Sequence, residues 1–405
     1  PRSQSQSLIS LPVTLTKFGL CSQAEDFNDW TQHGMKDRTI ILLTHEYPPK
    51  RGGAGTYCEE LVHACASLGF RIEAWVPEYG REEENGRVIS LAIKGTQGLT
   101  CSIKSMLETA KRLRRREDKV LLHFAEPGAL RAFLRFGRLL GELPALTATI
   151  HGTELLRFCS NPLEKFLFRR QLRKIGKIHV LSDFNRRALL EIFPELEEKI
   201  LLLPGAPARE LAGRAKRLET TGKKRLSILC VGRLHPRKGQ DRLLLALGSL
   251  PSRVLKRIEC LFVGPVVDQK FMEEVRRKAD QVPCPVSFLG DLKDADLRAV
   301  YEGADLFVLP SMPRAKSVEG FGFVYLEAGS HGLPVLANRT GGVEDAVLDG
   351  KTGLLADPED WRDLSKHLLA LIENEDLREK LGEAGARWAQ KHSWEKVARQ
   401  LYSNA

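Results

Sequence analysis

The sequence lacks the features that define several classes of protein. Its 405 residues contain no run of 18 consecutive apolar residues, so no membrane-spanning helix is predicted. The first ten residues have neither a basic segment nor a long apolar core, so we expect no secretory signal peptide. The eight cysteines include no Cys-x-x-Cys pair, which argues against a zinc or redox site. Buried thiols in a cytoplasmic protein are the simplest interpretation.

The charge of the chain is positive. The formal net charge is +10, from 62 Lys and Arg against 52 Asp and Glu. This excess is compatible with nucleic acid, an anionic membrane surface or a phosphorylated substrate, and it does not choose among them. No nucleic-acid recognition motif accompanies the charge, so we expect no nucleic-acid partner.

Strand-like and helix-like segments alternate along most of the chain. Residues 1–36 are the exception, because they carry Ser, Gln and Thr without periodicity, and we expect a disordered extension there. In the rest of the chain, the alternation of strand-like and helix-like segments predicts parallel sheets that are covered by helices on both faces. The apolar runs that predict strands are Thr39–Thr44, Phe70–Val76, Val120–Phe124, Ala145–Ile150, Lys177–Leu181, Leu226–Val231, Ile258–Val263, Val286–Leu289, Leu306–Leu309 and Pro334–Ala337.

These runs fall into two sets, separated by the polar and basic stretch Arg209–Arg225. We therefore predict an α/β protein with two doubly wound domains, at residues 37–208 and 209–385. Each domain is expected to bind ligands at the carboxyl ends of its strands. The segment Trp361–Tyr402 has a helical pattern, and we expect its end, residues 386–405, to pack back on the first domain.

A glycine-rich loop, Tyr47–Tyr57, joins the first strand to the first helix. Its glycines, among them Gly53, let the main chain approach a phosphate at a helix N-terminus, where negative charge is favoured. One alternative is a flexible turn. Another is a dinucleotide fingerprint with Glu78 as the ribose partner, although Cys58 stands where the third glycine belongs.

His151 directly follows the strand Ala145–Ile150. A side chain at the carboxyl end of a strand faces the crevice of an open sheet. We expect it to donate or accept a hydrogen bond at a substrate hydroxyl or at the reacting region, and not to act as a nucleophile. A purely structural histidine is the alternative.

The turn Gly232–Gly239 follows the first strand of the second domain and contains Arg233 and Lys238. Two cations five residues apart in such a turn can converge on one diphosphate. They would stabilise the charge that develops on a departing diphosphate more than they stabilise the ground state. A solvated basic turn is the alternative.

The segment Val318–Ala328 holds two carboxylates, Glu319 and Glu327, on either side of a loop with Gly320 and Gly322. The loop precedes a predicted helix, with Glu327 about two turns into it. Main-chain N–H groups at this helix start can bind a diphosphate, and carboxylates accept hydrogen bonds from vicinal hydroxyls. Two surface glutamates are the alternative, although apolar neighbours indicate a buried helix.

The pair Asp294 and Asp296 has the spacing of a metal-binding aspartate pair. It precedes apolar residues at helical spacing, so we expect helix capping and predict no catalytic metal and no cofactor.

Taken together, these segments resemble glycosyltransferase family 4, the retaining enzymes of the B-type fold, over about residues 38–400. The resemblance implies two Rossmann-like domains that face a central cleft, and a transferase that moves a hexose from a nucleotide sugar. The first domain would receive the acceptor and the second the donor.

The resemblance also implies the roles of individual residues. Glu319 would contact hydroxyls of the transferred sugar, and Glu327 the ribose. The implied catalytic residues are His151, Glu319, Arg233 and Lys238. The implied donor-binding residues are Gly53, Gly290, Leu292, Gly320, Phe321, Gly322, Phe323, Val324 and Glu327.

Within the family, the sequence looks most like mannosyltransferases that use GDP-mannose and act on a lipid-linked or saccharide acceptor. Two basic clusters in the first domain, Lys111–Arg116 and Lys165–Lys177, would suit peripheral contact with the anionic inner face of a membrane. Ordinary solvated faces are the alternative there. A UDP-sugar donor, a same-fold epimerase or hydrolase and a non-enzymatic binding subunit are the other functions considered.

Overall fold

The structure is a computed structural model of two parallel-sheet α/β domains. It describes residues 38–49, 52–78, 87–94, 98–213, 225–315 and 317–403. The predicted disordered extension therefore lies outside the described residues, as does most of the predicted linker. Within the described residues, no helix is both long and apolar enough to cross a bilayer.

The first domain is built on a seven-stranded sheet with the order β3-β2-β1-β4-β5-β6-β7, in which all the pairs are parallel. Its strands are β1 (Arg38–Leu43), β2 (Arg71–Pro77), β3 (Val88–Leu91), β4 (Lys119–Phe124), β5 (Ala145–Ile150), β6 (Lys177–Val180) and β7 (Ile200–Leu202). Its helices are α1 (Gly53–Ser67), α2 (Leu99–Leu113), α3 (Pro127–Phe136), α4 (Thr153–Phe158), α5 (Pro162–Leu172) and α6 (Asp183–Ile192). The central strands are buried on both faces because helices cover both sides.

The second domain is built on a six-stranded parallel sheet with the order β10-β9-β8-β11-β12-β13. Its strands are β8 (Leu226–Val231), β9 (Ile258–Val263), β10 (Val286–Gly290), β11 (Leu306–Leu309), β12 (Val335–Asn338) and β13 (Gly353–Ala356). The helices that follow β8 are α7 (Gln240–Gly248), α8 (Ser252–Leu255), α9 (Gln269–Ala279), α10 (Asp294–Gly303), α11 (Phe323–Ser330), α12 (Val343–Ala346), α13 (Trp361–Glu373), α14 (Glu375–Ala389) and α15 (Trp394–Tyr402).

The last two helices pack on different domains. Helix α14 packs against α11 of the second domain, whereas α15 packs against α1 of the first. At the far end of α15, the Tyr402 hydroxyl lies 2.7 Å from His123 Nδ1, and Lys177 Nζ donates to the carbonyl of Ser403 at 2.6 Å. The chain therefore crosses from the second domain to the first between Ala389 and Trp394.

Three strands were missed by the sequence analysis, namely β3, β7 and β13. Each is three or four residues long and lies at an outer edge of its sheet. An edge strand has a neighbour on one side only and needs no long apolar run, so its sequence signal is weak. Helix α1 also begins at Gly53, inside the segment Tyr47–Tyr57 that the sequence analysis predicted as a loop.

Candidate active site

The loops that the sequence analysis singled out lie at the carboxyl ends of the strands. In the first domain, β1 leads to α1, and β5 ends directly before His151. In the second, β8 leads into the turn that contains Lys238, and β11 leads into the loop before α11. Strands β1 and β4, like β8 and β11, are neighbours at the point where the strand order reverses. Open parallel sheets bind their ligands at this point.

Glu319 is the centre of a buried ion cluster in the second domain. Its Oε2 accepts hydrogen bonds from Arg237 Nη1 at 2.8 Å and from Lys238 Nζ at 2.7 Å. The Ser311 hydroxyl donates to the same atom at 3.1 Å. The three charged side chains are each only 11% exposed. Because two cations face one carboxylate, the cluster carries net positive charge and suits an anionic ligand.

The charges in this cluster set one another's ionisation. Burial by itself raises the pKa of Glu319, but Lys238 and Arg237 outweigh burial and hold that pKa well below its usual range. Burial lowers the pKa of Lys238, and the carboxylate of Glu319 offsets part of that effect. Glu319 is therefore an anion at neutral pH. The positive charges of Lys238 and Arg237, and not packing alone, hold its carboxylate in place.

Arg233 lies outside this ion cluster. Its side chain is exposed, and it lies near enough to Lys238 to lower the pKa of that amine. The cation that pairs with Glu319 beside Lys238 is Arg237, which the sequence analysis did not name. A signal for it was present, because Pro236 begins a 3₁₀ turn, Pro236–Lys238, in which Arg237 directly precedes the buried lysine. The convergence of Arg233 and Lys238 on a diphosphate stays a prediction.

Glu327 is buried in α11, just over one turn from the helix start instead of the predicted two turns. The Tyr301 hydroxyl donates to its Oε2 at 3.1 Å. Burial raises the pKa of Glu327 to about 7, and hydrogen bonds from Tyr301 and from the main chain of Ala208 oppose that rise. This carboxylate therefore touches the segment that links the two domains.

His151 is held from several sides. Its Nε2 donates to the carbonyl of Ala125 at 2.9 Å, and its main-chain N–H donates to the carboxylate of Glu154. The ring of Tyr57 packs edge-on against the imidazole, with 5.1 Å between ring centroids. Burial lowers the pKa of His151 to about 4, so the imidazole is neutral at physiological pH. A neutral, fixed ring suits a hydrogen-bonding role.

The two domains touch at His151 and Gly320. A Cβ atom added to Gly320 would lie 1.8 Å from the carbonyl oxygen of His151, so any side chain there would separate the two loops. The carbonyl of Gly320 also accepts hydrogen bonds from Ser182 Oγ at 2.7 Å and Asn185 Nδ2 at 3.2 Å, both from the first domain. His151 of the first domain and the loop before α11 in the second domain are thereby held in direct contact.

The start of α11 lets other groups come close to its main chain. Gly322 is the residue before the helix, and its φ of 93° is a conformation that glycine adopts at little cost. Phe321 and Phe323 are buried, and Val324 is partly buried. A Cβ added to Gly53 would lie 3.9 Å from the Phe323 ring. The starts of α1 and α11 therefore face each other across the domain junction.

Gly290 and Leu292 lie at the end of β10, the edge strand of the second sheet. Gly290 has a φ of 72°, and its carbonyl accepts from Gly264 N at 2.7 Å. Strand β10 is two strands from β8. These residues thus share the carboxyl edge with the ion cluster without belonging to it, and their contact with a nucleobase stays a prediction.

Asp294 and Asp296 are not capping residues in the strict sense. The N-cap of α10 is Lys293, and both aspartates lie in the first turn, where negative charge complements the helix dipole. The two aspartates therefore lie at a helix start, as expected, but neither of them is the capping residue. No group of three or more potential metal-binding side chains (His, Cys, Asp or Glu) occurs among the described residues.

Sequence comparison matches each half of the chain to a family of glycosyltransferase domains. Residues 51–206 match the family described as Glycosyltransferase Family 4, and residues 214–388 match Glycosyl transferases group 1. The chain therefore has the two-part organisation of a glycosyltransferase. It belongs to the glycosyltransferases that combine these two domains, and it is a transferase enzyme.

Individual relatives agree with this assignment. The chain is 28% identical, over 86% of its length and 93% of the relative, to a GDP-mannose-dependent alpha-(1-6)-phosphatidylinositol monomannoside mannosyltransferase of Mycolicibacterium smegmatis. It is 29% identical, over 90% of its length and 97% of the relative, to a GDP-mannose-dependent monoacylated alpha-(1-6)-phosphatidylinositol monomannoside mannosyltransferase of Corynebacterium glutamicum.

Solved structures confirm the predicted fold. Anabaena HepE, crystallised with UDP and glucose, superimposes with a TM-score of 0.72 at 19% identity, covering 89% of this chain and 97% of HepE. Sucrose-phosphate synthase from Thermosynechococcus elongatus gives a TM-score of 0.73 at 20% identity, over 90% and 97% of the two chains. The prediction of two Rossmann-like domains in the B-type fold is thus confirmed.

Proposed function

We propose that this glycosyltransferase moves mannose from GDP-mannose to a lipid-linked or saccharide acceptor, with a phosphatidylinositol mannoside as the first candidate. The observation that carries the nucleotide-sugar part is the buried cluster of Arg237, Lys238 and Glu319. Relatives named as GDP-mannose-dependent mannosyltransferases, at 26–29% identity over most of the chain, support the choice of donor.

In this proposal, the donor diphosphate lies against Lys238 and Arg233 at the start of α11. The first-turn N–H groups of a helix have no partner inside it, and in this proposal those of Phe323 and Val324 donate to phosphate oxygens. Glu319, held through Oε2, presents its other oxygen to hydroxyls of the transferred sugar. Glu327 accepts from the ribose, and the turn from Gly290 to Leu292 contacts the base.

The cations lower the barrier because the leaving GDP gains negative charge as the sugar–phosphate bond breaks. Lys238 and Arg233 meet that charge, and we propose that they do so without a catalytic metal. His151, neutral and fixed by Ala125, hydrogen-bonds the sugar near the reacting carbon. The acceptor hydroxyl reaches the reacting carbon from the side of the first domain and replaces GDP with retention of configuration, and its proton passes to the departing diphosphate.

Helix α5 supports a lipid acceptor. Leu163 and Phe166 are 66% and 60% exposed, and the exposed cations Lys165, Arg170 and Lys174 lie in the same segment of the sequence. Exposed apolar side chains among cations are typical of surfaces that bind anionic membranes. We therefore propose a peripheral position on the inner face of a membrane, with the first domain against the lipid.

The donor is tested by thermal shift with GDP-mannose, UDP-glucose and ADP-glucose. We expect GDP-mannose alone to raise the melting temperature, because a ligand at 100 times its Kd adds about 2.7 kcal/mol to native stability. Lys238→Ala should lose the shift, and EDTA should leave turnover unchanged. A shift with UDP-glucose only would assign a UDP-sugar donor, and donor consumption at equal rates with and without acceptor would indicate a hydrolase or epimerase.

Membrane contact is tested by co-sedimentation with vesicles of phosphatidylcholine, with or without phosphatidylinositol. We expect binding only to the mixed vesicles, and its loss in Phe166→Glu. Leu245→Glu is the matched control, because Leu245 is an exposed leucine of α7 in the second domain. Equal binding by both variants would contradict the proposed membrane face.

A further inference from the structure

A chain of aromatic rings joins the candidate catalytic histidine to the donor-side loop. Tyr57 packs edge-on against His151 and also packs against Trp394, with 5.7 Å between the Tyr57 and Trp394 ring centroids. Trp394 in turn packs against Phe323, the first residue of α11, at 5.3 Å. This series of rings thus begins in the first domain and ends in the second. Trp394 packs against one ring from each domain.

Trp394 also touches both places where the backbone passes between the domains. It is the first residue of α15, immediately after the crossing from α14. Its indole Nε1 donates to the carbonyl of Pro207, in the segment that leaves the first domain, at 3.0 Å. In that same segment, a Cβ added to Gly205 would lie 2.1 Å from the Phe323 ring, so the segment presses directly on this ring.

The other end of the ring chain is equally restrained. The Tyr57 hydroxyl lies 2.8 Å from Thr149 Oγ1 and 2.9 Å from His179 Nδ1, and all three side chains are buried. Tyr57 therefore cannot rotate away from His151 without breaking a buried polar network. A displacement of Trp394 would pass to His151 on one side and to Phe323 on the other.

We propose that Trp394 is a positioning residue that sets the separation between His151 and the donor-side loop, and so sets the geometry of sugar transfer. It touches no reacting atom. It acts through Tyr57 and Phe323, as a spacer between the halves of the site. Because misplacement of reacting groups by about 1 Å can cost about 100-fold in rate, a spacer of this kind affects kcat more than binding.

The test compares Trp394→Leu, Trp394→Phe and Phe133→Leu. Phe133 is a fully buried ring stacked on Phe124 within the first domain, so its replacement also opens a cavity but spans no junction. With GDP-mannose as donor, we expect Trp394→Leu to lower kcat about 10- to 100-fold with the donor KM changed less than about twofold. Trp394→Phe, which keeps a ring, should recover most of kcat, and Phe133→Leu should lose stability without losing kcat.

A second measurement does not depend on the donor. Small-angle X-ray scattering of the nucleotide-free proteins should show a larger radius of gyration for Trp394→Leu than for wild type or Phe133→Leu, because the domains separate without the spacer. Absence of turnover by the wild type would count against the proposed donor and leave the scattering result to decide on Trp394. Identical scattering for the Trp394 and Phe133 variants, or equal losses of kcat in both, would overturn the inference.

Discussion

Replacing Glu319 by glutamine tests the charge balance of the site directly. The substitution keeps the shape of the side chain and removes its charge, so Arg237 and Lys238 remain buried without a counter-ion. In the unsubstituted protein, one oxygen of the Glu319 carboxylate accepts three hydrogen bonds, at 2.7, 2.8 and 3.1 Å. Removing one partner of a buried ion pair costs about 3–5 kcal/mol. We expect Glu319→Gln to lose that amount, a large share of the roughly 5–15 kcal/mol by which proteins are stable.

The assay is urea unfolding at pH 7, with Glu344→Gln as the matched control. Glu344 also pairs with an arginine, Arg339, at 2.7 Å, but these side chains are 48% and 46% exposed. An exposed pair contributes about 0–1 kcal/mol, so the control should barely move the unfolding midpoint. Inorganic phosphate should stabilise Glu319→Gln more than wild type, because it supplies the missing negative charge. Equal small losses in both variants, with no difference in phosphate, would refute this account of the site.

Two further outcomes follow from single residues. Gly320→Ala should lower kcat at least about tenfold, because its Cβ would lie 1.8 Å from the His151 carbonyl, whereas Gly303→Ala, where a Cβ meets nothing within 4 Å, should be neutral in the same steady-state assay. Burial raises the pKa of Glu60 from 4.5 to about 7, against an opposing hydrogen bond from the Arg209 main chain. The native state then holds a proton that the unfolded chain has lost, so stability should fall by up to about 3 kcal/mol between pH 4.5 and 7. Glu60→Gln should flatten that part of the curve in urea unfolding at several pH values, and an unchanged slope would contradict the assignment.

Local sequence was sufficient to predict the positions of the central strands and of the loops that follow them. The apolar runs at β5, β8, β9 and β11 match the observed strands residue for residue, because a strand buried on both faces needs a continuous apolar run. Glycines marked the start of α11, where Gly322 has a positive φ, whereas α1 begins at Gly53, inside the predicted loop. The alternation of strand and helix then predicted two parallel sheets, and the topology agrees.

Only the tertiary structure decided which side chains meet. Arg237 and Glu319 are 82 positions apart, and the sequence analysis named Arg233, not Arg237, as the cation beside Lys238. The pairing depends on how the 3₁₀ turn at Pro236 orients the next two side chains toward the loop after β11. Trp394 gave no local signal at all, because its partners Tyr57, Pro207 and Phe323 come from three distant segments. Such contacts depend on the packing of whole domains, which no local pattern encodes.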